Sequence, residues 1–417
     1  MEKVIESANN FTKLKTAQGV PLYVMPLPHH ETVAVGVLVH AGCRDEVWPS
    51  QAGLAHALEH MFFQGTERFA GSKELSAYLE RVGGVINAWT WTEMTFYWRS
   101  APAAFAERAW ETLAEQLRFP TFPEAKIPVE MKNVVQEIRR AHDDPKSFVA
   151  RQANSLFYGS HPLGRDTLGT EAAVSSFTQK DFKGFWQKYY RPENFVFIVA
   201  GKITPEAAQK LFETHFPEPA TGTTRTLAPE AFVPPAPATH KLGREIQQVH
   251  LNLTWPAPAA SHADYPALRL FQTMVSGGMS FPLFQEVRDR LGLCYEVRAS
   301  LTPWSDAGAF VVYVGTDPER YEQAVRAVKE VMAKTATDEE LFKAAQTTMI
   351  GRLALTYESP ADIISLAAQD VTRFGEARGY KEAIAQIESV SFADIARVVA
   401  KYLDPAQAQL TLLAPHR

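Results

Sequence analysis

From residue 33 to 40 the chain reads VAVGVLVH, an almost unbroken apolar run, which is the pattern of a strand covered on both faces. Residues 22–25 (LYVM) read as a shorter strand. Between 87 and 98 apolar and polar positions alternate, the period of a half-buried strand, and the whole segment is expected to form one. Residues 50–64 and 128–141 read as helices, with Ser50 placed to cap the first and Gly65 to stop it.

The patterning also repeats. FTQKDFKGFWQKYYRPENFVFIVAG starts at Phe177 and VSFADIARVVAKYLDPAQAQLTLLA at Val390. At constant offset Asp181 matches Asp394, Lys188 matches Lys401, Tyr189 matches Tyr402 and Pro192 matches Pro405. In both, an amphipathic helix ends at a proline turn and leads into an apolar strand. A register held over the whole segment favours duplication over a shared turn chemistry. Between the halves, residues 217–239 are dense in Pro, Ala and Thr, which opposes both helix and central strand. The expected organisation is an N-terminal domain over 1–217, a linker over 218–239 and a C-terminal domain over 240–417. The fold class is α+β (mixed α/β): two homologous domains, each a mixed or antiparallel sheet with helices packed on it.

Composition narrows the function classes. At 417 residues the chain is too long for one ordinary core. It is 46% hydrophobic and 21% charged, with a formal net charge of -5, so no nucleic-acid or anionic-membrane partner is expected. The two cysteines, Cys43 and Cys294, are too few for a disulfide scaffold, although one bridge between them is compatible with the sequence. The N-terminal residues carry several charges and no apolar stretch of signal-peptide length, and no window approaches a membrane span. The expected location is the cytoplasm, or the periplasm if an export signal has been removed.

The candidate chemistry lies in GLAHALEHMFF, which places His56, Glu59 and His60 on one predicted helix. Positions i, i+3 and i+4 share a helical face, so two imidazoles can address one ion with a carboxylate between them. The order is H-x-x-E-H, the reverse of the better-known zinc motif. A catalytic zinc takes three protein ligands and keeps a fourth position open, so another ligand must come from elsewhere. The helix over PVEMKNVVQEIRRAHDD offers Glu130 and Glu137, seven residues apart and on one face.

With these residues in view, the chain resembles the pitrilysin-type (inverzincin) zinc metallopeptidases, and among them the two-domain bacterial members similar to the mitochondrial processing peptidases. In that family the third ligand is a glutamate 76 residues after the last motif histidine; here residues 61 to 136, 76 in all, separate His60 from Glu137. AGCRDE at 41–46 resembles a family motif, with Cys43 where Ser is usual, and GGVINAWTWTEMTFY at 83–97 resembles the strand that pairs with substrate. HPLGRDTLGT and YYRPENFVFIVAG resemble later segments of the first domain, and SFPLFQEVRDRLGLCYEV at 280–297 resembles the second-domain segment whose Arg and Tyr reach the active site.

The resemblance implies one zinc ion per chain on His56, His60 and Glu137, with Glu59 as general base and Glu130 as an accessory glutamate. Asn87, Ala88 and Thr90 would accept an extended peptide by strand addition, and Arg288 and Tyr295 would donate to substrate. The second half has no matching motif, so only the first should bind metal. The implied activity is zinc endopeptidase, acting on peptides or small unfolded proteins in a closed chamber. A presequence-processing peptidase and a non-catalytic assembly subunit are the alternatives. Larger relatives carry four such domains in one chain, so two copies of this chain would rebuild the chamber; a homodimer is the simplest assembly and a heterodimer with a motif-less paralogue the alternative.

Overall fold

In the computed structural model, residues 10–225 and 232–416 are described. Eleven strands among them form two sheets. The first contains β1 (Thr12–Lys15), β2 (Pro21–Pro26), β3 (Thr32–Val39), β4 (Val85–Thr90), β5 (Thr95–Pro102) and β6 (Phe195–Gly201), in the order β1-β2-β6-β3-β5-β4. The second contains β7 (Thr239–Arg244), β8 (Val249–Ala257), β9 (Glu296–Pro303), β10 (Gly308–Thr316) and β11 (Gln409–Pro415), in the order β7-β11-β8-β10-β9. Without β1 the two orders are the same pattern. The pairs β2·β6 and β7·β11 are parallel and the other pairs antiparallel, so the repeat read in the sequence is a repeat of topology. The duplicated segments are matching helices, Gln179–Tyr189 and Phe392–Tyr402, each opened by a capping box, Thr178 with Asp181 and Ser391 with Asp394.

Four further helices position the features discussed below: α1 (Leu54–Met61), α2 (Ile127–Asp143), α3 (Pro145–Tyr158) and α4 (Pro360–Phe374). By contacts the chain forms two compact units. One comprises Met1–Arg139, Arg165–Ala228 and Thr356–Lys381; the other comprises Arg140–Gly164, Pro229–Leu355 and Glu382–Arg417. The expected boundaries at 217 and 240 describe the order of the strands but not the helical cover. In the first unit α4, from the second half of the chain, packs Ile363, Ile364, Ala367, Ala368 and Val371 against Ala34, Leu38, Phe96 and Ile198. In the second unit α3, from the first half, packs on β8 and β11 through Val149, which contacts Tyr313 and Leu413. The central strands β3 and β6 are buried along nearly their whole length and so need helices on both faces. Each fully covered aliphatic side chain contributes about 1.5–3 kcal/mol, and the exchanged helix supplies one of the two covers.

Two local expectations change. Residues 87–98 are two strands of a hairpin, not one: Trp91 N–H donates to Met94 O at 2.8 Å across the turn, and Glu93 in that turn is buried in an ion pair with Arg44 at 2.8 Å. The alternation continues through the turn, so the pattern carried no break. The helix expected over 50–64 spans only Leu54–Met61, with Gly53 as its N-cap, while Ser50 donates to Val47 O instead. Cys43 and Cys294 are both free thiols. Residues 218–225 and 232–238 of the linker have no regular structure, Thr239 already belongs to β7, and residues 226–231 lie outside the described residues. No described helix is long and apolar enough to cross a membrane.

Candidate active site

The start of α1 is fixed from three sides. Gly53 has φ +90°, a left-handed conformation that favours glycine. A Cβ on Gly53 would stand 2.5 Å from Leu168 O, and one on Gly169 would stand 2.1 Å from Ala52 O, so these two backbones meet with no room for side chains. Glu46 closes the helix end: its two oxygens accept the N–H groups of Gly53 (3.0 Å) and Ala55 (2.9 Å). A carboxylate at a helix N-terminus also complements the helix dipole. Burial pushes the Glu46 carboxyl up to about 8, against the pull of those two amide bonds. The other end is held by Phe62, whose ring packs 5.3 Å from Tyr97, 5.4 Å from Phe122 and 4.9 Å from Tyr190.

Between these anchors α1 presents His56 and His60, with ring centroids 4.7 Å apart. Glu137 on α2 reaches both: its Oε2 lies 3.7 Å from His56 Nε2 and 3.6 Å from His60 Nε2. The three ligand atoms lie within 4.8 Å of one another, and this is the group of His, Cys, Asp and Glu among the described residues that could hold a metal ion. Tetrahedral zinc with bonds of about 2.0–2.1 Å brings its ligands to roughly 3.3 Å of each other, and the two carboxylate–imidazole distances are already close to that.

The surroundings also favour a cation. His60 Nδ1 lies 2.9 Å from Glu130 Oε1; a carboxylate only accepts, so Nδ1 carries the hydrogen and Nε2 is left as the ligand atom. Glu130 is held in turn by Gln64 Nε2 at 2.9 Å and Asn133 Nδ2 at 3.4 Å. Burial alone would lower the pKa of His60, but the bond to Glu130 and the neighbouring Glu59 and Glu137 outweigh it and hold the imidazole above its ordinary value. A positive charge is thus stabilised where the three ligand atoms converge.

Glu59 sits one turn from His56 and accepts a hydrogen bond from Thr90 Oγ1 at 2.5 Å. Burial raises its carboxyl above the ordinary glutamate value, opposed by Thr90 and His60 and reinforced by Glu137. Thr90 is expected to serve substrate; in the structure its hydroxyl donates to Glu59. Asn87, Ala88 and Thr90 all lie on β4, the edge strand of the first sheet. Asn87 Oδ1 accepts the Ala88 N–H at 2.8 Å, so an added peptide strand would have to displace it to use that donor. Arg288 and Tyr295 belong to the other unit. Arg288, on the π-helical segment Leu283–Arg290, is exposed, with its guanidinium 4.6 Å from the Phe284 ring centroid. Gly292 has φ +58° and turns the chain toward Tyr295 at the start of β9. The sequence reading assigned no role to Glu46, Gln64, Thr90 as a partner of Glu59, or the Gly53–Gly169 contact. Glu46, Thr90 and Gly169 lie in segments singled out by resemblance, and Gly53 opens the segment that carries the histidines; Gln64 had no such signal.

Residues 25–171 match the family described as insulinase (peptidase family M16), and residues 176–349 match the one described as peptidase M16 inactive domain. The chain belongs to peptidase family M16. The first M16 match contains His56, Glu59, His60, Glu130 and Glu137, and the second contains Arg288 and Tyr295. An uncharacterized zinc protease of Bacillus subtilis is 29% identical over 402 residues, spanning 95% of this chain and 96% of the relative. An uncharacterized zinc protease of Mycobacterium tuberculosis is 29% identical over 396 residues, spanning 94% and 90%. The same two-unit M16 fold is seen in a protease from Helicobacter pylori (TM-score 0.88, 22% identity, 98% and 100% of the two chains). It is also seen in a Pseudomonas fluorescens protein titled peptidase M16 inactive domain (TM-score 0.89, 19% identity, 98% of each chain).

Proposed function

We propose that this M16 chain is a zinc-dependent endopeptidase for peptides or small unfolded proteins, holding one zinc ion on His56, His60 and Glu137. The observation that carries the reading is the convergence of those three ligand atoms within 4.8 Å, with the half-buried Glu59 one helical turn from His56. When bound, zinc supplies a Lewis acid that polarises a carbonyl and lowers the pKa of water toward about 7. Glu59 takes the proton of the attacking water and passes it to the leaving amine, which is general base then general acid catalysis. Thr90 holds the Glu59 carboxylate in place, and Glu130 fixes the tautomer of His60. β4 receives the substrate backbone as an added strand, a mode that is weakly selective for sequence. Arg288 and Tyr295 donate to substrate carbonyls or to developing negative charge.

The working assembly in this proposal is a homodimer in which Arg288 and Tyr295 of one copy serve the metal site of the other, enclosing substrate in a chamber. Flexible peptides enter; folded proteins do not. The test mixes two inactive variants, Glu59→Gln and Arg288→Ala, under verified subunit exchange. Each mixed dimer then holds one site with both parts intact, so quenched-peptide cleavage is expected to return in part. No return of activity in an exchanged dimer contradicts action across the interface. A Glu59→Gln chain that cleaves at the wild-type rate contradicts the general-base role of Glu59, and a wild-type chain that cleaves no peptide contradicts the peptidase assignment itself.

A further inference from the structure

The second sheet has two different faces. One carries Leu251, Leu253, Trp255, Phe310, Val312 and Val314 into the core. The other carries His250, Asn252 and Thr254 on β8 and, by register, Tyr313 opposite Asn252. The helix α3 covers this polar face incompletely. Its small residues Ala150 and Ala153 leave a cavity of about 300 Å³ above the sheet, wholly within the second unit. Phe157 and Val311 form part of its wall, and the hydroxyl-bearing residues Thr254, Ser300 and Thr302 line it from β8 and β9.

Its charge is one-sided. Lys146 and Arg298 line the cavity and no carboxylate does. Lys146 is already engaged, in an ion pair with Glu296 and over the Tyr313 ring at 4.9 Å. Arg298 is exposed, and among the described residues it makes no ion pair or hydrogen bond. The cavity therefore offers one uncommitted guanidinium, a row of hydroxyls and an apolar wall, which together fit a carboxylate on a short aliphatic stem.

Register links this cavity to Tyr295. Arg298 lies opposite Tyr313, and Glu296 lies opposite Gly315. A Cβ on Gly315 would come within 2.5 Å of the Tyr295 Cζ and Oη, so the Tyr295 ring lies directly on that glycine. Tyr313, which lines the cavity, has its Oη 2.8 Å from His250 Nδ1, and the His250 ring centroid is 6.4 Å from that of Tyr295. Along a strand two residues cover about 7 Å, the same spacing as alternate side chains of an extended peptide.

We propose that this cavity is a side-chain subsite for an acidic residue of the bound peptide, with Arg298 as the group that receives the carboxylate. The inference rests on the reading that Tyr295 meets substrate. It places the preferred Glu or Asp two or three positions from the residue whose carbonyl Tyr295 contacts. A charge-assisted pair to Arg is commonly bidentate and selective by about tenfold or more over the uncharged isostere.

The test uses the full-length Glu59→Gln chain to measure binding and the wild-type chain to measure cleavage. Fluorescent peptides of one sequence are compared with Glu, Gln or Lys at each position in turn. At one position the Glu peptide is expected to bind about tenfold tighter than the Gln peptide. Adding Arg298→Gln should erase that preference, and adding Arg298→Glu should shift it toward the Lys peptide. Free glutarate at the same concentration should not displace the peptide; displacement would make the cavity a small-anion site and overturn the subsite. Unchanged preference in Arg298→Glu also overturns it. If wild type cleaves the peptides with no preference for Glu over Gln at any position, the subsite falls and the peptidase reading stands. If wild type cleaves none while binding still depends on Arg298, the peptidase reading falls and the subsite stands.

Discussion

The helix that follows the central strand differs between the two units although the strands around it do not. After β3 comes α1, with two imidazoles and a carboxylate at i, i+3 and i+4. After β8 comes Tyr265–Ser276, whose buried residues include Leu268, Leu270, Phe271, Met274 and Val275. Both helices lead toward an edge strand, β4 in one case and β9 in the other. One copy of the repeat gives its helix face to chemistry and must hold it with outside support: Glu46 at the start, Phe62 at the end, Glu130 and Thr90 on the functional groups. The other turns its helix to packing; its start is held by the buried Asp264, which accepts from Arg397, Lys401 and Tyr402, and no imidazole or carboxylate lies on the helix itself. The topology provides the position, and a handful of polar residues with their hydrogen-bond partners decide whether it becomes a site.

Substitutions on the two helices should therefore have opposite signatures. The largest expected effect is Glu59→Gln, which should lower kcat/KM by up to about 10⁴-fold, the upper range for general acid–base catalysis, while zinc content stays at the wild-type level. Activity assays paired with metal analysis check it. Phe271→Ala on the counterpart helix should cost about 3–5 kcal/mol of stability by leaving a cavity in the core. Denaturant unfolding should show that loss, with metal affinity of the folded chain unaltered. Glu130→Gln removes the negative charge facing His60 Nδ1–H and turns one of the two acceptor oxygens into a donor, and should lower metal affinity or activity by about 10–100-fold; competition with a zinc chelator separates it from Glu137→Gln, which should lose metal outright. The smallest effect concerns pH. Burial raises the Glu59 carboxyl, so it stays protonated to a higher pH than an ordinary glutamate near 4.5. A protonated Glu59 cannot act as base, so kcat/KM should fall as pH drops through that raised value. An acid limb at or below the ordinary glutamate range would show that the carboxylate is not held as described.

Much of this was legible before any coordinates. The apolar run over 33–40 could only be a covered strand, and the two proline-turn segments at constant offset gave the duplication. Helical spacing brings out His56, Glu59 and His60 and leaves Glu130 and Glu137 as candidates for the third ligand; the family resemblance implies Glu137. What escaped has physical causes. The turn at residues 91–94 is made by a buried ion pair between Arg44 and Glu93, residues far apart in sequence, and alternation does not stop there. The exchange of α3 and α4 between units is a property of tertiary packing that amphipathic patterning cannot distinguish from packing on the nearer sheet. Ser50 looked like a cap because local rules favour it, but Glu46 reaches the free amides of α1 from outside the helix. The cavity beside Arg298 comes from small residues on a helix drawn from the other half of the chain.

The central claim is that only the first copy of the repeat holds metal, through His56, His60 and Glu137. It is tested most directly by the zinc content of the purified full-length chain, measured beside Glu137→Gln. The account predicts one equivalent per wild-type chain and a near-complete loss in the variant. Two equivalents per chain, or equal zinc in both proteins, would contradict it.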